Sequence, residues 1–400
     1  MSLGRAKHFA MEQEERGFSS VGDKYVCSTC VGDKGLGRFI KDNGDKSQCT
    51  YCQGKHSIVL HFDELMQFIL ECLSQEYGDP NNVGVAWDNG WVGEVYDTYD
   101  FLDEIGISIE NMDFQDDIID SLSDRQWCKS DFYNLSPELV LSYGWKEFVD
   151  TVKHKSRYVF YRVPDESDFR GHEEIPPSYF LDALCGVIDS LSLYKKIEVG
   201  TKLTRVRIHK KDEKFTKAAE LGPPPVEYAS YPNRMSPSGI PMFYGAFNLK
   251  TALAETYTPD GECKVGTVGK FETVKELTLV DLSKLPPIKG IFSGASRTYW
   301  HGLSFLVEFL DDFTAPVSKD GREHIDYVPT QVVSEHLRFI HKTGENVSID
   351  GIIYPSSKDH GKKAVVLFCD NGSCSDESTV NDDTLLKLTK VSRVNPERYI

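Results

Sequence analysis

The chain has no long apolar run. Nothing in its 400 residues approaches the roughly 18 apolar positions needed to span a bilayer, and Met1 to Gly17 is mixed in charge without an apolar leader core. Neither a membrane span nor a secretory leader is expected, and the sequence reads as cytoplasmic. Basic charge is scarce too: 45 Lys and Arg stand against 62 Asp and Glu, a net charge of −17. That field disfavours nonspecific attachment to a phosphate backbone, so nucleic acid is not an expected partner. No GxGxxG, GxxxxGKS, GxxxxGKT, GxSxG or HExxH occurs. Dinucleotide-fold dehydrogenases, P-loop NTPases, common serine hydrolases and zincins therefore lack support. No internal repeat is present.

Cysteine is present but uneven. Of ten, four fall in one tight pattern and the others scatter through apolar segments, which suits a reducing compartment better than a disulfide framework. Cys27-Ser28-Thr29-Cys30 and Cys49-Thr50-Tyr51-Cys52 are two CxxC pairs separated by eighteen residues. Each such turn presents two thiolates to one ion, and four sulfurs at about 2.3 Å complete a closed tetrahedral zinc site. The rival readings are free thiols or a redox CxxC. His56 and His61 lie near in sequence but rank as bystanders beside four cysteines. A closed site folds its domain rather than catalyses.

A chain of this length splits into two or three domains. The expected division is a zinc-binding segment at 1–58, a helical region at 59–195 and a strand-rich region at 196–400, an α+β protein in all. In the helical region, Leu65, Phe68, Ile69, Cys72 and Leu73 give Asp63 to Tyr77 one apolar face. Trp87 to Gly93 reads as a tight turn whose aromatics anchor the core. Asp97 to Asp124 reads as helices with solvated acidic faces, the alternative being a docking surface for a basic partner. Ser136-Pro137 starts a helix running to about Val152, with Lys153 to Arg157 as its charged end. Val163 to Pro177 reads as a linker, and Ser178 as the cap of a helix with Leu181, Leu184, Cys185, Ile188 and Leu191 on one face. Strands are expected at Thr204 to Ile208, Val265 to Phe271, Leu277 to Leu282, Gly351 to Tyr354 and Ala364 to Cys369, and a helix at Thr330 to His341. Pro286 to Ser318 shows no regular pattern.

The chemistry-bearing stretch runs from Asn233 to Glu255. Ser236-Pro237-Ser238-Gly239 is a turn by composition, Ile240 to Phe247 is apolar enough for a buried strand, and Asn248 is a good N-cap for a helix to Thr256. Together with Leu203-Thr204-Arg205-Val206-Arg207 and Gly351-Ile352-Ile353-Tyr354-Pro355-Ser356-Ser357-Lys358, this order resembles the RES domain, from about Gly200 onward. The resemblance places the family's Arg on Arg205, with Arg207 as the one-step alternative. It places the Tyr and Glu on Tyr244 and Glu255, and the Ser on Ser356, with Ser357 the weaker choice and Lys358 as the basic residue beyond it. The CxxC pairs, the aromatic and glycine stretch and Val152 to Arg157 resemble the zinc-containing HEPN/RES N-terminal region. Many HEPN domains cut RNA with an Arg and His separated by four to six residues. No such spacing occurs here, so the resemblance implies a helical accessory domain, and RNA cleavage lacks its motif.

RES domains have an ADP-ribosyltransferase-like fold and act as toxins on NAD+. The resemblance therefore implies NAD+ as substrate, with water or phosphate as acceptor, or ADP-ribose transfer to a macromolecule. A third reading is a zinc-dependent interaction module without activity. Breaking the N-glycosidic bond of NAD+ develops positive charge on the ribose carbon, which a carboxylate, Glu255, would stabilise. Arg205 would hold the pyrophosphate bidentately, with Arg234 as a second contact. Tyr244 would stack on the nicotinamide, and Ser356 would offer its hydroxyl to the ribose or carboxamide. Toxins of this class often pair with a small antitoxin, although the N-terminal region can itself act as restraint. Oligomeric state is not set by the sequence.

Overall fold

Cys27 ends the first of three short strands: β1 (Tyr25–Cys27), β2 (Asp45–Ser47) and β3 (Ser57–His61), which form an antiparallel sheet in the order β1-β3-β2. The computed structural model describes residues 16–122, 125–162, 174–259, 265–288, 290–317 and 320–399. Most of the expected linker at 163–177 and nearly all of 1–17 lie outside these. The chain divides into one unit of residues 1–136 and 287–300, and another of 137–286 and 301–400.

In the first unit, His61 begins the helix Phe62–Leu73 by accepting from the Asp63 amide at Nδ1, and Leu65, Ile69, Cys72 and Leu73 are buried. The helix stops at Leu73, short of the expected Tyr77, because Tyr77 enters a second small sheet. That sheet has β4 (Tyr77–Gly78), β5 (Tyr96–Asp97) and β6 (Gln126–Lys129) in the order β4-β6-β5. Between β4 and β5, Trp87 and Trp91 pair edge to face at 5.0 Å around a turn in which Asn89 takes a φ of +53°. Trp87 is 65% exposed, so this turn is no core anchor. Its rings pack on one another at the surface. The acidic stretch forms the helices Thr98–Glu104 and Met112–Ser121, with Phe101, Leu102, Phe114 and Ile118 buried and Asp103, Glu104, Asp113, Asp116 and Asp120 exposed.

The second unit opens with the helix Pro137–Asp150, which widens into a π turn at Thr151–Lys155. Lys153 pairs with Asp326 at 2.5 Å and Lys155 with Asp150 at 2.8 Å, so these two lysines of the basic cluster are used within the protein. The helix Pro177–Ser190 begins at Pro176 without a side-chain cap, which corrects the assignment of that role to Ser178. Proline at the first helical position needs no amide partner there. The helix Arg297–Thr314 was not expected. Gly302 and the flanking Gly, Ser and Pro mask a periodicity that Leu303, Leu306, Phe309, Leu310 and Phe313 make plain once their burial is seen.

A nine-stranded mixed sheet organises this unit. Its strands are β7 (Tyr194–Ile197), β8 (Lys202–His209), β9 (Phe243–Ala246), β10 (Val265–Thr273), β11 (Leu277–Asp281), β12 (Gly351–Pro355), β13 (Lys363–Leu367), β14 (Cys374–Asp376) and β15 (Leu386–Val394), in the order β14-β15-β10-β8-β9-β13-β12-β11-β7. Only β11 with β12 and β14 with β15 run parallel. One cluster of buried residues includes Leu203, Phe243, Phe271, Ile353, Val365 and Leu367. A smaller one, of Val206, Ala246 and Val268, receives Ala252 and Leu253 from the helix Leu249–Thr256.

Candidate active site

β8 and β9 pair at one position only, Thr204 opposite Ala246, and this short contact underlies the site. Arg205 Nη1 donates to the Tyr244 carbonyl at 2.8 Å, tying the two strands beyond their single pair. Its guanidinium carbon lies 5.5 Å from the Phe243 ring centroid. The strands approach closely at Gly245, where a Cβ would stand 2.8 Å from Phe243 Cε1 and 3.2 Å from the Thr204 carbonyl. Burial in this position pulls the Arg205 pKa below its usual value.

The loop before β9 grips the Tyr244 hydroxyl. It accepts from the Met235 amide at 3.1 Å and donates to Ser236 Oγ at 3.1 Å. Tyr244 thus has its hydroxyl engaged both as donor and as acceptor. Burial pushes its phenol up to about 12, although the hydrogen bonds with Ser236 and the Met235 amide and the nearby arginines oppose that rise. The helix Val328–Phe339 holds the same loop. Thr330 Oγ1 donates to the Arg234 carbonyl, and Gln331 Nε2 donates to the Asn233 carbonyl at 2.8 Å. Arg234 Nη1 donates to the Phe313 carbonyl at 2.8 Å.

Asn248 caps the helix Leu249–Thr256 by accepting from the Thr251 amide at 2.8 Å, and Glu255 stands in its last turn. Ser356, just past β12, donates to Glu255 Oε1 and accepts from the amides of Lys358 at 3.3 Å and Asp359 at 3.0 Å. Its hydroxyl thus has its donor and both lone pairs in use. Only 3% of Ser356 is exposed.

Arg205, Arg234, Tyr244, Glu255, Ser357 and Lys358 all line one cleft of about 420 Å³, within the roughly 300–1,000 Å³ of small-molecule sites. Ser356 stands behind Glu255 and is not among the lining residues. Arg207 does not line the cleft either: its Nη1 donates to the Glu220 carbonyl at 2.7 Å and its guanidinium stacks on Phe215. Three cations and one carboxylate line the cleft, against the sign of the whole protein. Such a surface suits an anionic ligand with one centre that becomes positive. Tyr354, Tyr327 and Tyr231 also line it, with no role expected for them from the sequence. Only Tyr354 had a signal, its place directly before Pro355-Ser356.

Residues 202–388 match the RES domain model, and residues 42–166 match HEPN/RES N-terminal domain 1. The chain is a RES-domain protein. No curated protein and no solved structure matches it. RES domains are associated with NAD+-degrading toxins, which gives this one an NAD-related role in coarse terms. The RES span contains Arg205, Arg234, Tyr244, Glu255, Ser356 and Lys358. The fold agrees with the family reading: a mostly helical N-terminal region precedes a mixed α/β RES domain. Among the described residues no helix is long and apolar enough to cross a membrane.

Ahead of the RES domain, the two CxxC turns converge. Cys27 and Cys30 sulfurs lie 3.7 Å apart, Cys27 and Cys52 3.6 Å, and Cys30 and Cys49 3.8 Å, with all four within 4.8 Å of one another. A tetrahedron of sulfurs at about 2.3 Å from a central ion has edges of about 3.8 Å, so the cluster fits a tetrahedral metal. Burial raises the Cys27 thiol, but hydrogen bonds from the backbone amides of Cys30 and Thr29 and from the side chains of Cys52 and Cys49 together outweigh it and bring it down to about 7. Burial raises the Cys30 and Cys49 thiols. His61 is already used at the start of its helix, and neither it nor His56 belongs to the cluster.

Proposed function

We propose that the RES domain cleaves the bond between nicotinamide and ribose in NAD+, with water or phosphate as acceptor, and that its activity arrests growth or serves defence. The observation that carries this reading is the placement of Glu255 on a cleft whose other charged lining residues are the cations Arg205, Arg234 and Lys358. The arginines hold the pyrophosphate, and the Tyr244 ring receives the nicotinamide. The C1′–N bond breaks with its electron pair leaving on nicotinamide. The ribosyl cation that develops is stabilised by the Glu255 carboxylate. Water then adds at C1′ and loses a proton, giving ADP-ribose, or phosphate adds and gives the ribosyl phosphate.

Ser356 acts in this scheme through Glu255 rather than on the substrate. Its donated hydrogen bond fixes one carboxylate oxygen and leaves the other for the ribose. The four cysteines hold one structural Zn2+, which folds the segment 1–58 and takes no part in the reaction. We assign 59–195 to the helical accessory region and 196–400 to catalysis. NAD+ as substrate agrees with a cytoplasmic location, and a neutralising antitoxin would act through the N-terminal region. Incubating the purified full chain with NAD+, with and without phosphate, tests the reading. Release of nicotinamide without any added macromolecule supports it, and release only with a protein or nucleic-acid acceptor would make the enzyme an obligate ADP-ribosyltransferase.

A further inference from the structure

Tyr354 is the residue of the cleft whose chemistry the scheme leaves unused. It sits near the end of β12, paired with Ala364 on β13, and only 7% of it is exposed. That small exposure faces the cleft, which Tyr354 lines together with Tyr244, Arg234 and Glu255. Among the described residues its hydroxyl meets no hydrogen-bonding partner, unlike that of Tyr244, which is engaged twice. A phenol that makes no bond inside the protein and opens on the cleft keeps its donor for whatever fills that cleft. Burial first, and then the charges of Glu255 and Tyr244, hold this phenol protonated well above the usual tyrosine range, so it enters the cleft as a donor.

The position of that donor selects its partner. The phosphates of a dinucleotide are met by guanidinium groups, and the nicotinamide by a ring face. What lies beside Glu255 is the sugar whose C1′ reacts, and its hydroxyl oxygens are neutral acceptors suited to a neutral phenol. We propose that Tyr354 is a substrate-contacting specificity residue whose hydroxyl donates a hydrogen bond to a hydroxyl of the ribose that carries nicotinamide. The inference rests on NAD+ being the substrate. It adds a requirement for an intact distal ribose.

The test is equilibrium binding of ADP-ribose, which has the distal ribose, and of ADP, which lacks it, to wild-type protein and Tyr354→Phe. Loss of one neutral hydrogen bond predicts an affinity for ADP-ribose about 3- to 10-fold weaker in the variant, with ADP unchanged. On wild-type protein, ADP-ribose lacking one distal hydroxyl in turn should show the same loss at one position, and in Tyr354→Phe that deletion should cost nothing more. Equal binding of ADP-ribose to both proteins overturns the proposal. So does a parallel loss of ADP and ADP-ribose, which would mark a structural role, and the deoxy ligands decide the matter on wild-type protein alone if the variant folds poorly. Failure of the NAD+ reading looks different: the wild-type protein would then bind neither NAD+ nor ADP-ribose.

Discussion

Ser356 Oγ donates a hydrogen bond to Glu255 Oε1, joining the residue after β12 to the last turn of the helix Leu249–Thr256 across 101 positions of sequence. The serine's two acceptor sites are filled by the amides of Lys358 and Asp359, so its hydrogen can point only at the carboxylate. Ser356→Ala should therefore loosen Glu255 without removing it. A hydrogen bond to a charged group is worth about 1.5–3 kcal/mol, so kcat should fall about 10- to 100-fold with KM little changed. Ser356→Thr, which keeps the hydroxyl, should recover part of the loss. Equal falls in both variants, or a rise in KM alone, would separate Ser356 from Glu255.

Gly245 is set by the approach of β8 to β9. The Cβ of Gly245→Ala would press on the buried Phe243 ring and the Thr204 carbonyl, neither of which can withdraw freely. The expected cost is about 1–3 kcal/mol of stability, read as a lower denaturant midpoint with an unchanged slope. Turnover should fall as well, because the displaced strand carries Tyr244.

Much of this was legible in the sequence, and what was not has a common cause. The CxxC spacing located the cysteine cluster, because four thiols in two short turns are a local signal. Asn248 marked a helix start for the same reason. The apolar run at Ile240 to Phe247 marked a strand, though only Phe243–Ala246 pairs. The order of strands was hidden: β8 lies between β9 and β10, and β13 between β9 and β12, through pairings that no local pattern records. Ser356 was found by its motif, while its use of the hydroxyl on Glu255 needed the contact between distant segments. Gln331 and Thr330, which hold the Arg234 loop, carry no signal at all, being ordinary polar positions of a helix.

The cysteine cluster predicts one bound zinc per chain. Cys27→Ser combined with Cys49→Ser should abolish the metal and unfold residues around β1 to β3, seen as lost amide protection there. Full metal analysis of wild-type protein showing no zinc, with the same segment protected, would contradict this.

Tyr244 predicts an alkaline effect of definite sign. Its folded pKa, raised by burial to about 12, lies above the ordinary value of 10.0 that the unfolded chain would show. Between those values the unfolded chain has lost a proton that the folded one keeps. The contribution to stability is thus complete below the lower value and is lost as the pH rises through the upper one. The difference in phenolate absorbance between wild-type and Tyr244→Phe should appear near pH 12, and its appearance near pH 10 would show an exposed phenol.

The most direct measurement is NAD+ turnover by the purified full chain, with products separated, for wild-type protein and Glu255→Gln. Wild-type protein should release nicotinamide together with ADP-ribose, or with the ribosyl phosphate when phosphate is present, and Glu255→Gln should be slower by at least about 100-fold, roughly 2.7 kcal/mol of transition-state stabilisation. Wild-type protein that leaves NAD+ intact, or a Glu255→Gln variant that turns it over at the wild-type rate, would contradict this.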